Sequence, residues 1–227
     1  GQVTQGSTTT YLQSLDYSYN PQGWLVSINN ATLGGSNMSL PSCGTAQPNP
    51  GTVGISSDPD NNDLFHLDLR YDNPQNGSSL NTIAQKNGNI SQAIWRVRGR
   101  ERQTYGYSYD NYNRLTNATY GEYADNGSLT VNNRFSTSYS YDTRGNINTL
   151  NRQGQYRNND CWQAGQIDQL VYSYYPQSNR LQGVADGAPT ISREEGYKQT
   201  NNEDYAYDEN GNMNHDPQKG LHITYNH

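Results

Sequence analysis

The sequence predicts an all-β chain of tandem β-hairpins, and three observations carry the prediction. A tyrosine-rich unit recurs with nearly constant internal spacing. Each good copy carries Asp or Asn after its second tyrosine and Gly or Asn three residues later, the residues that close tight turns. The second tyrosines Tyr109, Tyr141, Tyr174 and Tyr207 are 32, 33 and 33 residues apart. A fixed period of that size marks a repeat architecture.

Taken in chain order, the first copy is Tyr17-Ser18-Tyr19-Asn20-Pro21-Gln22-Gly23-Trp24-Leu25. Two tyrosines separated by one small residue put both rings on the same face of a strand. Gly23 supplies the positive φ that ends a three-residue hairpin loop, and Leu25 starts the returning strand. The second copy runs Tyr107-Ser108-Tyr109-Asp110 to Asn113 and Leu115, with Asn as the residue tolerant of positive φ. The third has Tyr139, Tyr141, Asp142 and Gly145, returning at Ile147. A looser copy begins at Tyr172 and Tyr174 and carries one extra residue before Leu181. The last has Tyr205, Tyr207, Asp208 and Gly211, returning at Met213, and Leu221 to His227 reads as the start of a further strand. The four turn residues Gly23, Asn113, Gly145 and Gly211 are therefore expected at positive φ, and the paired rings are expected to stack on those of neighbouring hairpins.

These motifs resemble RHS or YD-repeat proteins, whose pattern is Tyr-Asp-x-x-Gly-Arg/Asn-Leu. The stretch Gly88-Asn89-Ile90-Ser91 through Trp95, leading into Tyr105 to Tyr120, is similar to the linked repeats of members from Bacteroidota. The resemblance divides the chain into a YD-repeat region at 1–33, an irregular insert or loop at 34–62, and a YD-repeat array at 63–227, open at its C-terminal end. It implies a curved sheet forming part of a hollow β-shell. It also implies partners: the remaining RHS repeats and a C-terminal effector of a parent protein, together with secretion machinery.

Composition constrains the same reading. Leu, Ile, Val and Phe make only 33 of 227 residues and mean hydropathy is −1.06, yet the formal net charge is −6 and 20 tyrosines are present. Such chains are disordered when charge is high. Here the rings of tyrosine can supply a core while their hydroxyls seek polar partners. A pI near 5.1 gives no support for nucleic-acid binding. The basic stretch Arg96 to Arg102 reads as a solvated sheet edge. No transmembrane run and no signal peptide are visible, and the absence of capping units marks the chain as a fragment, marginally stable alone.

Each candidate site has a plainer reading beside it. Cys43 and Cys161 are the only cysteines. A disulfide between them fits a secreted protein, and two unrelated thiols fit the sequence as well. Asp58 to Asp63 is rich in oxygen ligands but lacks the glycine and glutamate of an EF-hand, so a turn is favoured over a calcium loop. The histidines show no zinc spacing, and His66 reads as structural; no nucleophile elbow or P-loop occurs. Asp216-Pro217-Gln218-Lys219-Gly220-Leu221 resembles the Asp-Pro-x-Gly-Leu segment at which many RHS shells cleave themselves, with one residue too many; an ordinary turn is preferred. No catalytic residue, cofactor or metal is assigned. The expectation is a non-catalytic wall segment of a secreted or cell-surface shell that encloses or presents a toxin. A surface adhesin or carbohydrate-binding repeat module is the alternative.

Overall fold

The computed structural model describes residues 15–29, 63–159 and 161–226, together with the backbone of strands β1 (Gln2–Gln5) and β2 (Thr8–Tyr11), which pair with each other. The described chain is all-β, with one short helical turn. It divides into two compact units, Gly1–Asn133 and Arg134–His227. The boundary falls within the 63–227 stretch that the sequence reads as one array. The whole 34–62 insert lies outside the described residues, and with it Cys43 and Asp58 to Asn62 of the stretch read as a turn.

In the first unit an antiparallel sheet runs in chain order: β3 (Tyr17–Tyr19), β4 (Leu25–Ile28), β5 (Phe65–Arg70), β6 (Gln92–Val97), β7 (Arg102–Tyr109) and β8 (Leu115–Tyr123), with β9 (Leu129–Thr130) also on β8. Arg98 to Glu101 form the β6–β7 hairpin loop, so the basic stretch is not a sheet edge. Arg102 instead lies 4.2 Å over the Tyr123 ring.

The two faces of this sheet are covered differently. On one, Trp95, Tyr105, Tyr107 and Tyr120 form a ring cluster with centroids 5.4–6.3 Å apart. On the other, a loop from Tyr71 to Ile90 folds over the strands and plants Leu80, fully buried, on the glycines of β7 and β8. A Cβ on Gly106 would meet Leu80 Cβ at 2.6 Å, so glycine is required there by space. Thr82 fastens the loop through its hydroxyl, whose one proton is shared between the Ser91 and Tyr107 carbonyls at 2.8 and 2.6 Å. The paired-tyrosine motif gives no sign of this cover.

In the second unit β10 (Thr137–Tyr141), β11 (Ile147–Asn158), β12 (Cys161–Tyr174) and β13 (Leu181–Asp186) form an antiparallel meander. After the helical turn α1 (Thr190–Arg193), β14 (Ala206–Tyr207), β15 (Met213–Asp216) and β16 (Leu221–His222) make a separate small sheet. One backbone bond, Tyr205 N–H to the Gln182 carbonyl at 2.9 Å, leads from β13 toward it. The core is mixed: Leu170, Val184 and Tyr205 are buried, with Leu150, Tyr172, Leu181, Tyr197, Tyr207 and Met213 against them. Tyrosine thus replaces much of the aliphatic content that composition lacks.

Candidate functional site

The repeated hairpin is the feature on which any functional reading rests, and its turn has one hydrogen-bond plan. The residue after the second tyrosine sends its N–H to the carbonyl four residues on and receives the N–H from three residues on. Asn20, Asp110, Asp142 and Asp208 all do this, at 2.9–3.2 Å. The third residue on is Gly23, Asn113, Gly145 or Gly211, with φ of 81°, 62°, 92° and 87°. A Cβ at any of the three glycines would meet nothing within 4 Å, so backbone conformation alone selects glycine there.

The side chain of the leading residue completes the turn. Asp110 Oδ1 accepts the Tyr112 and Arg114 amides, both at 2.9 Å, and its Oδ2 accepts Arg114 Nε at 2.6 Å. Asp142 and Asp208 use Oδ1 for the amides of Asn146 and Asn212 and Oδ2 for their side-chain Nδ2. The Arg/Asn position of the motif therefore answers the carboxylate. At Asp110 and Asp142 lost hydration pushes the pKa up, but the hydrogen bonds from Arg114 and Asn146 outweigh it and hold the carboxyl below its usual range. At Asp208 the Asn212 side-chain bond is the leading cause of the same depression.

A β-bulge follows in every copy. The register shifts between Ser18/Tyr19, Ser108/Tyr109, Ser140/Tyr141, Ser173/Tyr174 and Ala206/Tyr207. The second tyrosine therefore pairs with the first apolar residue of the return: Leu25, Leu115, Ile147, Leu181 or Met213. A further turn of the same backbone plan, Ala124 to Ser128 with Gly127 at φ 83°, joins β8 to β9 without a bulge. The sequence reading missed it because no Tyr-x-Tyr precedes it, although Asp125-Asn126-Gly127 is a turn signal.

At Tyr109, Tyr174 and Tyr207 the second tyrosine links its hairpin to an earlier segment. Tyr174 Oη donates to the Ile147 carbonyl at 2.8 Å, and Tyr207 Oη to that of Leu181 at 3.1 Å. Tyr109 reaches Ile90, Tyr71 reaches Leu25 and Tyr225 reaches Met213, at 2.8, 2.9 and 2.9 Å. Leu25, Ile147, Leu181 and Met213 each open an earlier return strand, whereas Ile90 ends the loop that leads into β6. Tyr71 and Tyr225 were not recognised from sequence as members of this set. Burial raises the pKa of Tyr71, Tyr109, Tyr174 and Tyr207, which keeps these phenols protonated as donors.

Two ring stacks run along single strands, β10 and β7, and not between neighbouring hairpins as expected. Tyr139 and Tyr141 stack at 6.5 Å, and Tyr107 stacks on Tyr105 at 6.0 Å. Tyr172 and Tyr205 enter the second unit's core. Tyr17 and Tyr19 contradict the expectation: they are 53% and 62% exposed, because β3 is the end strand of its sheet.

The remaining candidates resolve into structural roles. His66 is buried, its Nδ1 3.2 Å from the Asn29 carbonyl. Residues 216–220 form a turn, with Gly220 at φ 62° and Asp216 Oδ1 accepting the Gln218 and Lys219 amides. Cys161 is disulfide-bonded. Two buried carboxylates that the sequence did not single out, Asp168 and Asp186, fix the segment after β13. Asp168 takes Arg152 Nε and the Tyr197 amide, both at 2.5 Å, and Asp186 takes the Gln169 and Ala188 amides at 2.9 Å. Among the described residues no group of three or more His, Cys, Asp or Glu is placed to hold a metal, and no helix is long and apolar enough to cross a membrane.

No family model matches the chain, and no curated protein matches it.

Proposed function

We propose that the chain is a non-catalytic wall segment of an RHS/YD-repeat shell in a secreted or cell-surface protein. In that reading it encloses or presents an effector polypeptide carried elsewhere in the parent protein. The observation that supports this most is the phenol-to-carbonyl link from one hairpin to an earlier one, seen in both units. Side chains invested in this way hold neighbouring repeats together. Each link depends on the adjacent repeat, so stability accrues along the array as nearest-neighbour terms. Remaining repeats of the parent protein would extend the wall, and secretion machinery would deliver it.

Limited proteolysis of the intact parent protein tests the proposal. Polypeptide beyond residue 227 should resist digestion until the repeats themselves are cut, and Tyr174→Phe with Tyr207→Phe should hasten its release. Digestion of that polypeptide at the rate of an unprotected chain, with the repeats intact, would refute an enclosing role.

A further inference from the structure

The first hairpin departs from the turn plan at one position. Where Arg114, Asn146 and Asn212 send a side chain back to the turn carboxylate, Trp24 stands instead. Asn20 still closes the turn, accepting the Gln22 and Trp24 amides at 3.1 and 2.8 Å. The indole is thus released from any duty in the turn. It lies 5.1 Å from the Tyr71 ring, tilted by 42°, and rests on Gly88, where a Cβ would come within 3.2 Å of it.

Beside the two rings opens a cleft of about 550 Å³, lined among others by Gln22, Trp24, Tyr71, Asp72, Gln85 and Lys86. That volume is within the range of small-molecule sites, roughly 300–1,000 Å³. Asp72 offers only acceptors, Lys86 only donors, and the two glutamine amides offer both. Aromatic faces flanked by such mixed, exposed hydrogen-bonding groups match a sugar ring, which has an apolar C–H face and an equatorial rim of hydroxyls. A lipid or an apolar peptide would find too little apolar wall here, and an anion would meet Asp72.

We infer that this cleft binds one pyranose unit of a glycan, with the C–H face of the sugar against Trp24 and its hydroxyls toward Asp72, Gln85 and Lys86. The inference stands apart from the shell reading, since a wall segment and a free-standing module could each carry the site.

The test applies the 227-residue chain to a glycan array and titrates the best-bound sugar by saturation-transfer NMR. Binding at roughly millimolar affinity is expected. Trp24→Asn, which installs the residue found at 146 and 212, should weaken it about ten-fold, the effect of one lost stacking contact, measured well below a melting midpoint that falls with the lost contacts to Tyr71 and Gly88. Asp72→Asn and Lys86→Ala change exposed side chains and should each weaken binding several-fold, whereas Trp162→Ala should not alter it. Absence of any bound glycan, or Trp24→Asn and Lys86→Ala variants that bind like the parent chain, would overturn the inference.

Discussion

The β10–β11 and β12–β13 hairpins share a bulge, and each accepts a later tyrosine's phenol on its first return residue, but they differ in the turn between. The first is closed by Asp142, which gathers two amides and the Asn146 side chain, with Gly145 at φ 92°. The second has Tyr175 where the carboxylate should be, an extra residue, and Gln177 at φ 56°. Its turn relies on Ser178, which caps the Arg180 amide, and on a longer reach: Tyr175 Oη donates to the Tyr205 carbonyl at 2.8 Å, while Arg180 lies between the Tyr175 and Tyr207 rings. Bulge and link survive in both. The carboxylate is therefore a local fastening of the turn, and the phenol is what the repeat uses to hold its neighbour.

The comparison can be broken most severely from the far side of the second hairpin. Tyr205 is 7% exposed and supplies both core and the carbonyl on which Tyr175 rests. Tyr205→Ala should cost about 3–5 kcal/mol, as large aromatic deletions do, and should expose β13 amides in hydrogen exchange while sparing the Asp142 turn. A smaller effect separates the two turns directly. Gly145→Ala should destabilise by about 1 kcal/mol through backbone strain alone, since its Cβ has open space. Gln177→Gly should instead be neutral or slightly stabilising, because strain at φ 56° is already present. Chemical denaturation of both variants checks the opposite signs.

The smallest effect is set by pH. The depressed carboxyl of Asp142 stabilises the fold above the unfolded carboxylate range, and that contribution is lost as pH falls through its folded value. Acid should therefore loosen the β10–β11 turn before the β12–β13 turn, which has no carboxylate, and residue-resolved amide exchange between pH 5 and pH 3 reads the order. At the alkaline end the sign reverses. Burial, then its neighbours Tyr105 and Tyr109, push Tyr107 up to about 12, so its contribution is whole below the unfolded phenol value of 10.0 and is lost as pH rises toward 12.

Much of the turn was legible in the sequence. Asp142 and Gly145 are identified by residue type and spacing, because a turn is made within a few consecutive residues. What was hidden involves partners distant in the chain. The acceptor of Tyr174 is a backbone carbonyl at Ile147, which has no residue-type signature, so neither the link nor its further members Tyr71 and Tyr225 could be read from periodicity. Leu80 sits in a polar loop with no strand pattern, and only Gly106 and Gly121 hinted at the close approach it makes. Tyr17 and Tyr19 fit the motif as well as any pair, yet are exposed, since the motif encodes a hairpin and not what lies beside it. Trp24 was legible only as an irregularity, and its meaning came from Tyr71, 47 residues away in the chain.

The account turns on the hydroxyl of the second tyrosine, and one comparison isolates it. Tyr174→Phe and Tyr207→Phe, combined, keep both rings and remove two hydroxyls that reach across hairpins; Tyr17→Phe and Tyr112→Phe, combined, remove two from exposed rings. Equilibrium unfolding of the two double variants should show a loss of about 2 kcal/mol for the first pair, roughly 1 kcal/mol per intramolecular hydrogen bond. The second pair should stay within about 0.5 kcal/mol of the parent chain. Equal stability of the two variants would contradict the claim that these phenols join the repeats.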